Sequence, residues 1–392
     1  MTTPASPPPP SRRWSLNSRA TRGVLYQLLA LALLGLGLWY LAHNTQVNMQ
    51  ARGIQSGFDF LGASAGFDIG ETLIQYDPSQ SYGKAIWVGV LNTVKVALAG
   101  IIFTTLLGVA LGVGRFSRNA LVRGLCYGYV ELFRNVPLLL QLLMWYLVFI
   151  ELLPASNEAM SLAGLVFLSK GGLSVPWPTT GVGAVIAGLA VGAVAGVLWR
   201  RRVQRRFEAT GQDGDRFWVP LALLLAFAVL GWVVAGMPRE WSVPEQLPFM
   251  VDGGLALTPE FLALLIGLTT YTAAFVAEVV RGGIQSVSRG QDEAASALGL
   301  NPRQKMKLVV LPQAMRVIIP PLTNQYLNLT KNSSLAVVVG YPDVVSIANT
   351  TINQSGRAVE CIAIIMLVYL STSLTTSLLM NWYNRRMAIK ER

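Results

Sequence analysis

The chain has 392 residues, of which 53% are hydrophobic and 13% charged, with a formal net charge of +11 and a mean hydropathy of +0.48. Soluble domains carry about 25% charged residues, so half that share leaves too little polar surface to cover a globule in water. An ordinary cytosolic enzyme is excluded and a chain immersed in lipid is implied; two cysteines, Cys126 and Cys361, cannot form a disulfide framework, and one histidine argues against a histidine-ligated metal.

Residues 1–23 read as a cytoplasmic tail, with Pro4 and the run Pro7 to Pro10 favouring disorder at its start. About 20 largely apolar residues cross the hydrocarbon core. Runs of that kind are 24–42, 85–114, 136–153, 181–199, 217–236, 261–280, 317–339 and 360–382. The expected fold class is therefore all-α integral membrane, with about eight transmembrane helices. The first run is longer than the apolar stretch of a signal peptide, and no small-residue cleavage site follows Leu41, so it reads as an uncleaved anchor.

Loop charges test the span count. Arg12, Arg13, Arg19 and Arg22 precede the first span without an acid, whereas Asp59, Asp68, Glu71 and Asp77 outweigh Arg52 and Lys84 after it. Arg115, Arg118, Arg123 and Arg134 against Glu131 come next, then a poor loop with Glu151, Glu158 and Lys170. Arg200, Arg201, Arg202, Arg205, Arg206 and Arg216 follow, then Glu240, Glu245, Asp252 and Glu260 with only Arg239. Residues 281–316 are basic, 340–359 holds Asp343 and Arg357, and the tail at 383–392 carries Arg385, Arg386, Lys390 and Arg392. The alternation is unbroken, which places both termini in the cytoplasm. Between two spans, the cluster at 200–206 reads as a topology anchor near anionic lipid rather than a nucleic-acid patch.

One cytoplasmic loop, 285–312, has internal order. Residues 290–298 favour a helix with Asp292 and Glu293 in its first turn, and Gly299 sits where a left-handed residue ends it. Asn301 and Pro302 form a cap and first-turn pair opening a second helix, which Pro312 is expected to close near Leu311. The first helix is expected to expose Ala294, Ala295, Ala297 and Leu298. Physics leaves two readings of it: a surface for another protein, or a loop helix resting on its own membrane domain.

Polar groups inside spans narrow a substrate path, because a charge at the bilayer centre usually faces protein or water. The densest polar stretch is 323–334, in which Asn324, Asn328, Lys331 and Asn332 share a helical face and Ser333 follows. That face suits an amino acid, with Lys331 as the carboxylate's partner, although Lys331 snorkelling outward or pairing internally is the plainer alternative. Tyr271 and Glu278 lie two turns apart on another span, where Glu278 is more simply paired with Arg281. Asn92 and Lys95 share one face of the second span, and Arg134 before Pro137 is a helix-entry charge. There is no phosphate loop: Gly83-Lys84 is followed by Ala85 and preceded by Pro78 where the first glycine belongs, so this chain does not bind ATP in that manner and energy must come from elsewhere.

Glu293-Ala294-Ala295, three residues, Gly299, nine residues, then Val309-Val310-Leu311-Pro312 resembles the signature loop of permease subunits of bacterial ABC importers. The family more often has Ile at the position of Val309. Glu278 to Gln285 before the loop, and Gln313-Ala314, Pro320-Pro321 and Asn324-Gln325 after it, fit the same pattern. Phe133-Arg134-Asn135-Val136-Pro137-Leu138-Leu139-Leu140-Gln141 resembles the motif of the polar amino-acid branch, with Asn-Val where Gly-Thr is commoner. Across 85–153 and 259–382 the chain is similar to histidine, glutamine, arginine and general amino-acid permeases.

The resemblance implies a five-helix, MetI-like type I core formed by 85–153 and 259–382. The span 24–42 and an insertion at 154–258 with two more spans are additions to it. It further implies that the loop 285–312 is a coupling helix docking on a cytoplasmic ATPase dimer through Glu293, Ala294, Ala295, Gly299, Leu311 and Pro312. A second, related permease, a periplasmic amino-acid-binding protein and a bacterial inner-membrane location complete the implied assembly. This chain would then be non-catalytic and hold no cofactor, ATP being bound by the partner, and would contact lipid and amino acid but no nucleic acid. The alternatives are an ion-coupled secondary transporter, which calls for inverted repeats not apparent here, and an ABC importer of another small solute such as an opine.

Overall fold

The computed structural model describes residues 19–51, 53, 56–212, 214–215, 217–237 and 240–387. The predicted tail at 1–18, the charges Arg52, Arg216 and Arg239, and the terminal Lys390 and Arg392 lie outside the described residues.

Each of the eight predicted spans is helical. The first lies in α1 (Arg19–Ala51), on which no described side chain is buried, as suits an apolar helix surrounded by lipid. The second is α2 (Tyr82–Gly114), whose first turn is capped by the Ser81 hydroxyl accepting from the Lys84 amide. It runs along the sixth predicted span, a helix whose first turn holds Pro259 and whose cap is Thr258. Small residues set that seam: a Cβ added at Gly108 would stand 2.5 Å from Val276 Cγ1, and one at Gly112 would stand 2.8 Å from the Ala277 carbonyl oxygen. Only glycine allows the two backbones so close.

The third predicted span, 136–153, is one arm of a broken pair. An amphipathic helix, α3 (Ala120–Asn135), meets α4 (Leu138–Leu147), which continues as a π turn over Val148–Leu152, at 105°. Pro137 forces Val136 into extended backbone (φ −95°, ψ 127°). The Gln141 amide then donates to the Phe133 and Val136 carbonyls at 3.0 and 2.9 Å, replacing partners lost at the bend. The motif read at 133–141 thus builds an elbow, and α3 was missed because its apolar face alternates with arginines and glycines.

The insertion adds what the hydropathy did not reveal. Strands β1 (Met160–Leu162), β2 (Val166–Ser169), β3 (Gly172–Val175) and β8 (Leu255–Leu257) form an antiparallel sheet in that order; β4 (Trp177–Pro178) pairs with β5 (Trp241–Ser242), and β6 (Glu245–Gln246) with β7 (Val251–Asp252). Leu168, Leu173 and Leu257 seat the sheet on the main core around Leu142, Leu264, Leu268 and Tyr341. The two extra spans, α5 (Val182–Thr210) and α6 (Trp218–Val234), form a hairpin. Its glycines allow close contact, since a Cβ at Gly188 would lie 2.2 Å from the Phe227 carbonyl oxygen.

The remaining core consists of α7 (Pro259–Gln285), the short helices α8 (Arg289–Ala297) and α9 (Pro302–Lys305), then α10 (Leu311–Asn332), α11 (Val344–Ser355) and α12 (Ala358–Met387). Pro312 does not close α9. A π turn over Met306–Val310 joins α9 to α10, and Pro312 sits in the first turn of α10. The Leu311 amide reaches back to the Met306 carbonyl, five residues away, so the wider turn admits the proline ring without ending the helix. Pro320 and Pro321 are likewise absorbed inside α10. A 3-10 segment, Ser333–Val339, completes the seventh span before a 51° bend into α11, whose polar Asn and Thr residues hide it from a hydropathy count.

Candidate functional site

α8 is built from local rules. Its end is a Schellman-type turn: Leu300 N–H donates to the Ala295 carbonyl at 3.2 Å, Gly299 N–H donates to Ser296 at 2.9 Å, and Gly299 has φ +75°. Asn301 and Gln304 then form a reciprocal capping box opening α9, each side chain bonded to the other's amide at 3.0 Å. Lys305 bridges back to α8, 2.8 Å from Asp292 Oδ1 and 3.1 Å from Ser296 Oγ. Gln313 of α10 reaches Gln291 at 3.3 Å. These links, invisible to span counting, make α8, α9 and the start of α10 one strapped unit.

The unit turns one face outward. Glu293, Ala294 and Ala297 are exposed on one side of α8, and Leu298, just past its end, is 81% exposed. Ala295, which the sequence suggested was exposed with them, is 3% exposed and packs against its own subunit. Ala295 is the one residue of α8 that is buried; the polar residues of α8 and the adjoining Leu298 are all exposed, so the helix turns only a single alanine inward. Leu311 is 42% exposed beside the half-buried Pro312, at the junction with α10.

α10 carries the polar stretch. Asn324, Asn328 and Lys331 are exposed on it, Asn332 is half-buried, and Ser333 is buried with its hydroxyl donating to the Thr330 carbonyl at 2.7 Å. No acid pairs with Lys331 among the described residues. Asn324 and Lys331 are seven residues apart, about 10 Å along the helix. Tyr271 stands on α7, half-buried against the main core with its ring 5.0 Å from Phe275. Ser333 and Tyr271 are therefore tied into packing, while the two asparagines and the lysine form an open polar face.

Other ionisable groups act as fasteners between helices. Glu278 pairs with Arg281, as the sequence suggested, and also with Arg115 Nη1 at 2.6 Å; Arg134 Nη1 stands 3.9 Å away. One carboxylate thus gathers guanidinium groups from the ends of α2, α3 and α7. Lys95 is paired with Glu71 in the loop before α2 and lies 4.1 Å over the Phe261 ring. Asn92 donates to the Glu71 and Pro342 carbonyls at 2.8 and 2.9 Å. Sequence had placed Asn92 and Lys95 together; the acid that engages them lies in an adjoining loop, where spacing gives no signal.

The family model described as binding-protein-dependent transport system inner membrane component matches residues 216–389. The chain is 46% identical over 373 residues to the general L-amino acid transport system permease protein AapQ of Rhizobium johnstonii, covering 95% of this chain and 93% of that protein. It is 45% identical to the putative amino-acid ABC transporter permease protein YhdX of Escherichia coli, covering 96% and 97%. It is 41% identical to the glutamate/glutamine/aspartate/asparagine transport system permease protein BztB of Rhodobacter capsulatus, covering 95% of each.

Proposed function

The chain belongs to the amino-acid ABC transporter permeases, inner membrane components of binding-protein-dependent transport systems, and from that premise we propose that it moves polar L-amino acids across the bacterial inner membrane by alternating access, driven by a separate ATPase. ATP is bound and hydrolysed on that partner. A second, related permease chain completes the pathway, a periplasmic amino-acid-binding protein supplies the substrate, and both termini face the cytoplasm. Residues 85–153 and 259–382 form the transporting core, to which α1 and the insertion 154–258 are attached.

The single observation carrying this reading is the covalent and hydrogen-bonded continuity from α8 to α10. Glu293, Ala294 and Ala297 offer a small, flat surface that lets a partner's side chains approach the helix backbone. The Schellman turn at Gly299, the capping box and the Lys305 bridge hold α8 against α9. The chain then runs without a break in helical backbone through the π turn, past Leu311 and Pro312, to Asn324, Asn328 and Lys331. Through Gly283, where an added Cβ would lie 2.2 Å from Ile318 Cγ1, α10 is also locked against α7. A partner that grips α8 differently in its two nucleotide states therefore displaces α10 and α7 together; an equal grip would shift nothing. On the polar face, Lys331 would neutralise the substrate carboxylate and the asparagines would replace its water.

Reconstitution into proteoliposomes tests the reading. Amino-acid uptake should require the ATPase, the binding protein and ATP on the cytoplasmic side. Uptake by the permease without an ATPase, under an ion gradient, would instead identify a secondary carrier.

A further inference from the structure

The α5–α6 hairpin packs chiefly on itself and little on the core. At its cytoplasmic end, Arg201, Arg202, Arg205 and Arg206 of α5, with Leu198 before them and Ala209 after them, line an open groove of about 490 Å³. Among the described residues none of these four guanidinium groups makes an ion pair. Among the described residues, two acids close in sequence have other partners: Glu208 accepts from Gln204 at 2.7 Å, and Asp215 accepts from the Phe217 and Trp218 amides at 2.8 and 2.7 Å.

Depth selects the occupant. α5 starts at Val182, and about 20 residues cross the hydrocarbon, which brings the helix to the headgroup layer at Arg201. It then continues to Thr210, so the arginines stand on rigid backbone. Phe217 and Trp218, 59% and 68% exposed, sit at the same end, as in an interfacial aromatic belt. Guanidinium forks match phosphate oxygens two at a time, and the exposed Leu198 on the membrane side of the arginines suits a lipid's apolar part better than a free ion.

We propose that this groove binds the phosphate of an anionic phospholipid headgroup and so seats the inserted hairpin at the inner face of the membrane. The test uses the full-length chain, delipidated in detergent, with bound lipid counted by native mass spectrometry as phosphatidylglycerol, phosphatidylcholine or inorganic phosphate is added. Phosphatidylglycerol should bind in preference to phosphatidylcholine, and millimolar inorganic phosphate should not displace it. Each arginine near an anionic surface is worth about fivefold (about 1 kcal/mol), so Arg202→Gln with Arg206→Gln should weaken phosphatidylglycerol binding roughly 25-fold. Arg200, Arg201 and Arg205 remain in that variant to hold the hairpin's orientation. The Arg202→Lys, Arg206→Lys pair keeps the charge and should lose less, separating recognition from misfolding. Equal binding of the two lipids, an unchanged Gln variant, or full displacement by inorganic phosphate would each overturn the proposal, the last by making the site one for free phosphate.

Discussion

Gly299→Ala isolates the turn that joins α8 to α9. An added Cβ at this position meets nothing within 4 Å, so the substitution introduces no clash. What it introduces is a side chain on backbone at φ +75°, at about 1–2 kcal/mol for a residue other than glycine. With 1.4 kcal/mol per tenfold, the native turn loses about 5–30-fold against relaxed alternatives, and a partner that recognises α8 only in this setting loses the same factor in docking. Gly299→Asn supplies the control, because asparagine visits the left-handed region more readily. The assay is ATP hydrolysis by the reconstituted complex with and without loaded binding protein. The Ala variant should lose most of the stimulation with assembly weakened, and the Asn variant should retain more of it. Stimulation undiminished in Gly299→Ala would refute the role given to this turn. Equal loss in both variants would shift the cause from backbone angle to side-chain bulk.

Three further outcomes follow from the packing. Gly112→Ala places a methyl group 2.8 Å from both a backbone carbonyl and Val280 Cβ of α7, and should destabilise the core by about 1–3 kcal/mol, read as a lower melting temperature in detergent. Lys95→Ala leaves Glu71, 9% exposed, without its cation; a loss of about 3 kcal/mol is expected, with part of it recovered when Glu71→Ala is added. Lys331→Gln should raise the substrate concentration needed for half-maximal uptake while leaving basal ATP hydrolysis and melting temperature unchanged, since Lys331 forms no ion pair among the described residues; a changed basal hydrolysis with unchanged uptake affinity would count against substrate contact.

The sequence resolved what depends on long apolar runs and local chain chemistry. Eight spans, the cap at Asn301 and the left-handed Gly299 are all present, because each is encoded within a few adjacent residues. What stayed hidden depends on partners distant in the chain. Pro312 looked like a helix stop, and only the π turn at Met306–Val310 shows how the helix passes it. Ala295 looked like its alanine neighbours until packing separated it from them. Arg115 and Glu278 are 163 residues apart, and no spacing pattern announces their contact. The four-stranded sheet of the insertion has strands of three or four residues each, too short for a period to register.

In the proposed mechanism α8 is the part of this chain that a separate ATPase holds. Ala297→Cys, on the exposed face of α8, with the half-buried Cys126 replaced by Ser, gives a single accessible thiol. In the purified complex, a short bifunctional reagent at that thiol should join the chain to the ATPase subunit, with a yield that changes between nucleotide-free and ATP-bound states. Leu370→Cys on α12, 57% exposed, serves as the lipid-side comparison and should give no such product. Failure of Ala297→Cys to cross-link in an assembled, active complex would contradict the account.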